Sequence, residues 1–179
     1  MKLKSILEDI EILKPRRSSE ERQKNYTVAI QRQIQNYIKN GCVGDLDLNE
    51  TSIERLPDNL KKVGGGLYLD YSKIKYLPDN LVVNGDLSLS DSEIKQLPDN
   101  LVVGRDLFLS HTSIETLPKN LKVGRTIYSS FSKIEELPDD LVVGQNVWLI
   151  DTPISKKYSK EQMRRIAPQG IKGEVIIKF

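Results

Sequence analysis

Residues 86–105 read DLSLSDSEIKQLPDNLVVGR, and residues 106–125 repeat the pattern as DLFLSHTSIETLPKNLKVGR. The Leu-Pro pair in this unit recurs at Leu56-Pro57, Leu77-Pro78, Leu97-Pro98, Leu117-Pro118 and Leu137-Pro138. These pairs are spaced by 21, 20, 20 and 20 residues. A fixed period of this length is the signature of a stacked repeat architecture. The repeating unit therefore determines the fold of most of the chain.

Each unit contains a short strand and an extended return arm. The alternation in Leu87-Ser88-Leu89 predicts a half-buried strand of about three to five residues, and Ile94 supplies a second core layer. Because proline lacks an N–H group, the Leu-Pro step ends the strand pairing and turns the chain. A coil of about 20 residues cannot hold a strand and a full α-helix. The return arm is therefore predicted to be extended or polyproline-like, with at most a 3₁₀ turn.

Two further columns of the repeat indicate structural roles. A hydroxyl residue follows every strand, which predicts an internal hydrogen-bonding ladder rather than a series of modified or catalytic serines. The hydroxyl residues are Thr51, Ser72, Ser92, Thr112, Ser132 and Thr152. A glycine precedes each strand, which predicts a tight turn that uses the backbone freedom of glycine. The glycines are Gly44, Gly65, Gly85, Gly104, Gly124 and Gly144.

The repeat over residues 43–154 resembles a leucine-rich repeat of the short bacterial type, with its Leu-x-Leu strand and its Leu-Pro-x-x-Leu return. Two features depart from that family: Thr or Ser replaces the usual Asn of the ladder, and a Val-Gly turn replaces an apolar residue before the strand. The Val-Val-Gly variant is similar to repeats of bacteriophage and large-virus proteins, which implies a phage origin. In bacterial effectors such repeats precede a cysteine-based ubiquitin ligase domain, but Cys42 lies before the repeats and matches no such motif.

This resemblance implies a leucine-rich repeat solenoid, an α/β fold rich in β-structure, with a curved parallel sheet of short strands on its concave face. We expect five full coils and a partial sixth over residues 43–154. Residues 1–42 are predicted to form a helical N-terminal cap, and residues 155–179 a C-terminal cap of one helix and a final strand. Such caps cover the open ends of a solenoid.

Helix signals support both caps. An amphipathic stripe ends at Pro15 and consists of Leu3, Ile6, Leu7, Ile10 and Leu13. Ser18 and Glu21 have capping-box spacing and begin a second helix, which ends at Asn40-Gly41. The apolar stripe of this second helix is Tyr26, Ile30, Ile34, Tyr37 and Ile38. Ser159 and Gln162 begin the C-terminal helix, and the alternation around Val175 and Ile177 predicts the last strand.

Composition excludes several classes of protein. The chain has 179 residues, 38% of them hydrophobic, which favours a folded domain over disorder. No stretch is long and apolar enough for a membrane span, and Glu8, Asp9 and Glu11 interrupt the first apolar segment, unlike a signal peptide. A cytoplasmic location is therefore expected, and the resemblance to phage repeats implies a bacterial cell infected by phage. One Cys and one His cannot form a disulfide or a structural zinc site, so no cofactor or metal is expected.

The net charge of +2 conceals a strong asymmetry along the chain. Residues 1–44 carry 9 basic and 5 acidic side chains, residues 45–152 carry 11 and 18, and residues 153–179 carry 7 and 2. An acidic solenoid thus lies between two basic ends. Such asymmetry steers encounter with a charged partner.

The fold constrains the residue type at inward strand positions but not at outward ones, so the outward residues carry information about function. The column between the paired leucines reads Asp47, Tyr68, Ser88, Phe108, Tyr128 and Trp148. Two residues after the second leucine, another column reads Glu50, Tyr71, Asp91, His111, Phe131 and Asp151. These two columns hold six of the 11 aromatic residues. The predicted binding residues are Tyr68, Asp70, Tyr71, Asp91, Phe108, His111, Tyr128, Phe131 and Trp148.

These residues favour a protein-binding module without enzymatic activity, whose partner is a protein with a basic contact surface. Two other functions stay open: carbohydrate binding on the aromatic residues, and nucleic-acid binding through the basic ends, although nucleic acid is the less favoured partner. The basic residues at the ends are Arg16, Arg17, Arg22, Lys24, Arg164 and Arg165. Aromatic side chains that only stack across strands are the structural alternative. His111 lacks a second His or a nucleophile beside it, so it is not expected to be catalytic.

Overall fold

The computed structural model describes residues 18–177, apart from the side chains of residues 22 and 23. Its main sheet has seven parallel strands, one from each successive coil and a last one from the C-terminal end. In spatial order these are β1 (Leu46–Asp47), β3 (Leu67–Tyr68), β5 (Leu87–Ser88), β7 (Leu107–Phe108), β9 (Ile127–Tyr128), β11 (Val147–Trp148) and β12 (Val175–Ile176). The strands are two residues long, shorter than the expected three to five, because the chain turns directly after the second inward residue of each coil. This residue is leucine in every coil except the fifth, where it is the buried Ser129.

The return arms form a second parallel sheet, which the sequence did not predict. Its strands are β10 (Val142–Val143), β8 (Lys122–Val123), β6 (Val102–Val103), β4 (Val82–Val83) and β2 (Lys62–Val63). The arm is extended as expected, and the described coils contain no 3₁₀ turn. Hydrogen bonds such as Gly124 N–H to the Val103 oxygen at 2.8 Å link each arm to the previous one. Both arms of the coil therefore hold their neighbours through backbone hydrogen bonds.

The core lies between the two sheets and consists of columns of identical or similar residues. In the central coil, Leu107, Leu109, Ile114, Leu121 and Val123 are all at most 2% exposed. The register of Leu87 with Leu107 and of Leu107 with Ile127 places each residue on its equivalent in the next coil. The solenoid of stacked coils with a parallel sheet of short strands, predicted from the Leu-Pro period, is confirmed.

The hydroxyl column supplies an internal hydrogen bond in every coil. Each hydroxyl donates to the backbone carbonyl oxygen three residues earlier, at 2.6–2.8 Å. Thr112, for example, donates to the Leu109 oxygen at 2.7 Å and is 3% exposed. The prediction of an internal set of bonds is confirmed, but each bond closes its own turn and does not link one coil to the next.

The glycines before the strands do not serve the role that the sequence predicted, except at Gly44, whose φ is +78°. Gly85, Gly104, Gly124 and Gly144 have no positive φ. A Cβ atom at Gly124 would overlap the Gly104 carbonyl oxygen, and one at Gly144 would overlap that of Gly124. These positions are therefore glycine because adjacent coils approach too closely for a side chain.

Helix α1 (Ser19–Lys39) covers the first coil. The predicted capping box is present, with the Ser18 hydroxyl accepting from the Glu21 amide at 3.1 Å. Ile34 is buried and Tyr37 packs against the core, whereas Tyr26 is 43% exposed and does not belong to the buried stripe. The earlier predicted helix, with Leu3, Ile6, Leu7, Ile10 and Leu13, lies outside the described residues. No helix among residues 18–177 is long and apolar enough to cross a membrane.

The Tyr37 hydroxyl fastens helix α1 to the first coil. It donates to the Gly44 carbonyl oxygen at 2.8 Å and accepts from the Gly64 amide at 3.1 Å. Burial, followed by the nearby Cys42 and Asp45, raises the pKa of Tyr37 above its usual value. The hydroxyl, which is protonated at neutral pH in any case, therefore keeps the proton that it donates to Gly44 into more alkaline solution.

Two helices follow the last coil, of which the sequence predicted the second. Helix α2 (Pro153–Lys157) begins at a Thr152–Ser155 capping box, which the sequence pattern does not predict because Ser155 stands where that pattern has Glu or Gln. Helix α3 (Lys160–Ile166) begins at the predicted Ser159–Gln162 box. Strand β12 pairs in parallel with β11, with Val147 opposite Val175. The C-terminal strand thus extends the main sheet by one coil position.

Candidate functional site

The outward face of the main sheet carries a stack of aromatic rings. The Phe108 and Tyr128 ring centroids are 5.0 Å apart with an interplanar angle of 5°. The Tyr128 ring also stacks on the Trp148 ring, with centroids 6.4 Å apart and an interplanar angle of 15°. The parallel register places these three residues side by side on β7, β9 and β11, where each is half-buried. We call Phe108, Tyr128 and Trp148 the aromatic strip.

Tyr68 lies in the same column but is separated from the aromatic strip by Ser88. The Tyr68 ring lies over Gly66, so closely that a Cβ atom at residue 66 would overlap the Tyr68 hydroxyl. Burial, followed by the carboxylates of Asp45 and Asp86, raises the pKa of Tyr68. A tyrosine hydroxyl is already protonated at neutral pH, and the raised pKa extends this state to more alkaline solution.

A second row follows the ends of the strands, and every residue in it has a left-handed backbone. The φ angles lie between 56° and 60° in this turn row, which consists of Glu50, Tyr71, Asp91, His111, Phe131 and Asp151. Each residue precedes the buried hydroxyl that closes the turn. Glycine, asparagine, aspartate and histidine adopt this conformation more readily than other residues, so Glu50, Tyr71 and Phe131 are the unusual members of the turn row. The sequence placed these residues in one column but gave no signal of their backbone conformation.

All six residues of the turn row are exposed. Tyr71 is 66% exposed and Phe131 is 51% exposed. His111 and Phe131 form a second stack, with centroids 4.8 Å apart and an interplanar angle of 7°. Because a bulky residue in a left-handed conformation costs free energy, Tyr71 and Phe131 occupy these positions at some cost to stability. The outward face thus presents two parallel sets of stacked rings.

The left-handed backbone predicts an unusual stability order for two variants at Phe131. Glycine relieves the conformational strain, whereas alanine keeps it, and both remove the ring. After subtraction of the entropy that glycine loses on folding, we expect Phe131→Gly to be about 1 kcal/mol more stable than Phe131→Ala. Urea unfolding of the two variants measures the difference. An alanine variant that is the more stable of the two would contradict the prediction.

The predicted acidic residues divide into two groups. The Asp70 Oδ1 atom accepts from the Ser88 hydroxyl at 2.6 Å and from the Ser90 amide at 2.8 Å. Asp86 and Asp106 each likewise accept a hydrogen bond from a backbone amide of the next coil. The Asp86 carboxylate lies 3.7 Å from the Arg105 guanidinium, and the Asp106 carboxylate lies 3.4 Å from that of Arg125. These carboxylates hold the solenoid together. Asp91, in contrast, is exposed and forms no side-chain hydrogen bond or ion pair with the described residues.

The structure brings few of the predicted basic residues together. Arg16 and Arg17 lie outside the described residues, as does the side chain of Arg22. Lys24 is exposed on α1, and Arg164 and Arg165 are exposed on α3 at the other end of the solenoid. Arg164 lies 3.7 Å from Glu174, an exposed pair. The described basic residues therefore form two separate surfaces.

Helix α1 and the first coil enclose a groove of about 650 Å³, which the sequence did not predict. Ile30 and Ile34 line one side, and Ile53, Leu56 and Pro57 line the other. Among residues 18–177, no group of three or more His, Cys, Asp or Glu side chains is arranged to hold a metal ion.

Comparison with known proteins finds similarity only among solved structures. No protein-family model matches the chain, and no curated protein matches it. Among solved structures, the leucine-rich repeat domain of a Shigella effector is similar, with a TM-score of 0.38 and 17% sequence identity. The similarity covers 85% of this chain and 89% of that domain.

Proposed function

We propose that this leucine-rich repeat solenoid is a protein-binding module without enzymatic activity, and that its outward sheet face is the binding surface. The observation that carries the proposal is the aromatic strip, Phe108, Tyr128 and Trp148, together with the His111–Phe131 stack beside it. Aromatic residues dominate the energetics of protein interfaces because they bury a large area with few rotatable bonds. The core of this fold contains Leu, Ile and Val, so folding does not require rings on the outside.

Charge supports a partner with a basic contact surface. Residues 45–152 carry 18 acidic and 11 basic side chains, and Asp91 stands in the exposed turn row, whereas the Asp151 carboxylate lies 4.0 Å from the Lys156 ammonium group. Opposite potentials speed association and disfavour partners of the same sign. The acidic surface also repels phosphate, so nucleic acid is a poor fit to this face.

The biological setting follows from the repeat variant alone. Its Val-Val-Gly turn resembles repeats of phage proteins, so we place the protein in the cytoplasm of an infected bacterial cell. Its partner there is a host or defence protein, which it binds or inhibits.

Capture from a lysate of the native host tests the binding face. We expect Trp148→Ala/Tyr128→Ala to reduce recovery of the captured protein roughly 100-fold or more, because each ring removed from an interface centre costs about 2 kcal/mol. Tyr26→Ala/Tyr76→Ala is the matched control. It also removes two exposed rings, but one lies on α1 and the other pairs with Arg55 just before the Leu77-Pro78 step, so we expect capture to be unchanged.

Mass spectrometry of the captured material, with the thermal midpoint of each variant, completes the test. Equal capture by the wild type and by Trp148→Ala/Tyr128→Ala, with both folded, would refute the proposed face. Enrichment of nucleic acid with a steep salt dependence would assign function to the basic ends instead. Quenching of Trp148 fluorescence by a soluble glycan would identify carbohydrate as the ligand.

A further inference from the structure

Both sets of rings are interrupted in the same coil. Ser88 interrupts the column that contains Tyr68 and the aromatic strip, and Asp91 interrupts the turn row between Tyr71 and His111. Residues 86–105 therefore present no ring on the outward face. We call this gap the slot.

The width of the slot follows from the register of the strands. Ser88 lies opposite Tyr68 on one side and Phe108 on the other. Neighbouring strands are about 4.8 Å apart, so equivalent positions on either side of the slot are roughly 9.6 Å apart. The His111 and Phe131 rings stack at 4.8 Å. The gap between the turn-row positions Tyr71 and His111 thus corresponds to the thickness of one missing planar group.

The floor of the slot is acidic. Asp91 is exposed, and its carboxylate forms no hydrogen bond or ion pair with residues 18–177. Ser88 is 8% exposed and donates its hydroxyl to Asp70 at 2.6 Å, which brings a second carboxylate beside it. The Ser90 amide also donates to that Asp70 oxygen. Asp91 is therefore the acidic group of the slot that the fold leaves available.

We propose that the slot receives an arginine side chain of the partner protein, an inference that rests on the proposed function. A guanidinium group is planar, stacks on aromatic faces and presents paired donors that match a carboxylate. It satisfies both features of the slot, since its faces meet the flanking rings and its edge meets Asp91. A lysine ammonium supplies the charge but no plane, and an aromatic ring supplies the plane but leaves the covered carboxylate without a partner.

The first experiment uses defined probes rather than the partner. Amide shifts of Tyr71, Asp91 and His111 are followed by NMR during titration with blocked Gly-Arg-Gly and Gly-Lys-Gly peptides. We expect saturable shifts with the arginine peptide, with a Kd on the order of millimolar, and at least roughly fivefold weaker binding of the lysine peptide. Equal affinity of the two peptides, or no shift at these amides, would overturn the proposal.

Variants at the slot give a second test. We expect Asp91→Asn to weaken binding of the arginine peptide roughly tenfold, because it removes a charge-assisted hydrogen bond. Asp91→Tyr supplies the missing ring and should abolish binding, and Tyr71 shows that the turn accepts tyrosine. Asp151→Asn makes the same chemical change at the same turn position in another coil and should have no effect. Undiminished binding by Asp91→Tyr would refute the slot.

The same variants separate this inference from the proposed function. If Asp91→Asn captures the lysate protein as well as wild type while Trp148→Ala/Tyr128→Ala does not, the binding face stands and the arginine inference fails. If both variants capture normally, both proposals fail. If both lose capture and Asp151→Asn retains it, the arginine anchor is part of the interface.

Discussion

Replacing Leu107 with alanine is expected to lower the free energy of unfolding by about 2–5 kcal/mol, the usual range for a buried leucine. Leu107 is fully buried and is paired in register with Leu87 on one side and Ile127 on the other. The lost methyl groups leave a cavity shared by three coils. Because those coils belong to a rigid backbone ladder, the cavity can collapse only in part.

The position of Leu107 in the middle of the solenoid predicts a second effect. Each coil contacts mainly its neighbours, so a weak central coil should uncouple the N-terminal from the C-terminal half. Urea unfolding measures the total loss, and native-state hydrogen exchange of Val83 and Val143 reports the two halves separately. Lys122→Ala, exposed on the same coil, is the control and should cost under about 0.5 kcal/mol. A loss that small for Leu107→Ala would mean that Leu107 is not a core residue.

The path of the chain could be predicted because each column of the repeat has one physical role. Leu107 and Leu109 point inward with a period of two, Pro118 ends the strand pairing, and the hydroxyl of Thr112 satisfies a buried carbonyl oxygen. Because each role recurs in at least five coils, the repeat removes the ambiguity that one short apolar segment would leave. The second sheet was not predicted, since Lys122-Val123 reads equally well as an unpaired extended arm.

The candidate site was only partly predictable from the sequence. A left-handed backbone is predicted from glycine or asparagine, so it cannot be predicted where another residue type occupies the position. Phe131 and Tyr71 have the φ angle that sequence rules assign to glycine or asparagine. Likewise, counting Asp70, Asp86 and Asp106 as binding charge overstates the acidity of the face, since their oxygens accept amides of the next coil. The residues that remain for a partner are those that the ladder does not use, above all Asp91.

Gly124→Asn is expected to cost about 3 kcal/mol, the upper end of the range for overpacking. The added Cβ atom would overlap the Gly104 carbonyl oxygen, which belongs to the backbone and cannot rotate away. At Gly44, in contrast, an added Cβ atom would contact nothing within 4 Å, so only the φ of +78° favours glycine at this position. Asparagine tolerates that backbone, so Gly44→Asn should cost under about 1 kcal/mol.

A rescue variant tests whether close approach is the cause. In the second coil, Asn84 occupies the position that is Gly104 and Gly124 in the two following coils. The residue of that coil that approaches the previous backbone too closely for a side chain is the next one, Gly85, which lies against Gly65. Gly124→Asn/Arg125→Gly copies this Asn-Gly order. We expect it to recover at least half of the stability lost in Gly124→Asn, measured by urea unfolding. Arg125→Gly alone should cost little, because the Arg125–Asp106 pair lies at 3.4 Å with an exposed Arg125. A double variant as unstable as the single one would show that the turn needs glycine at 124 for a reason other than the spacing between coils.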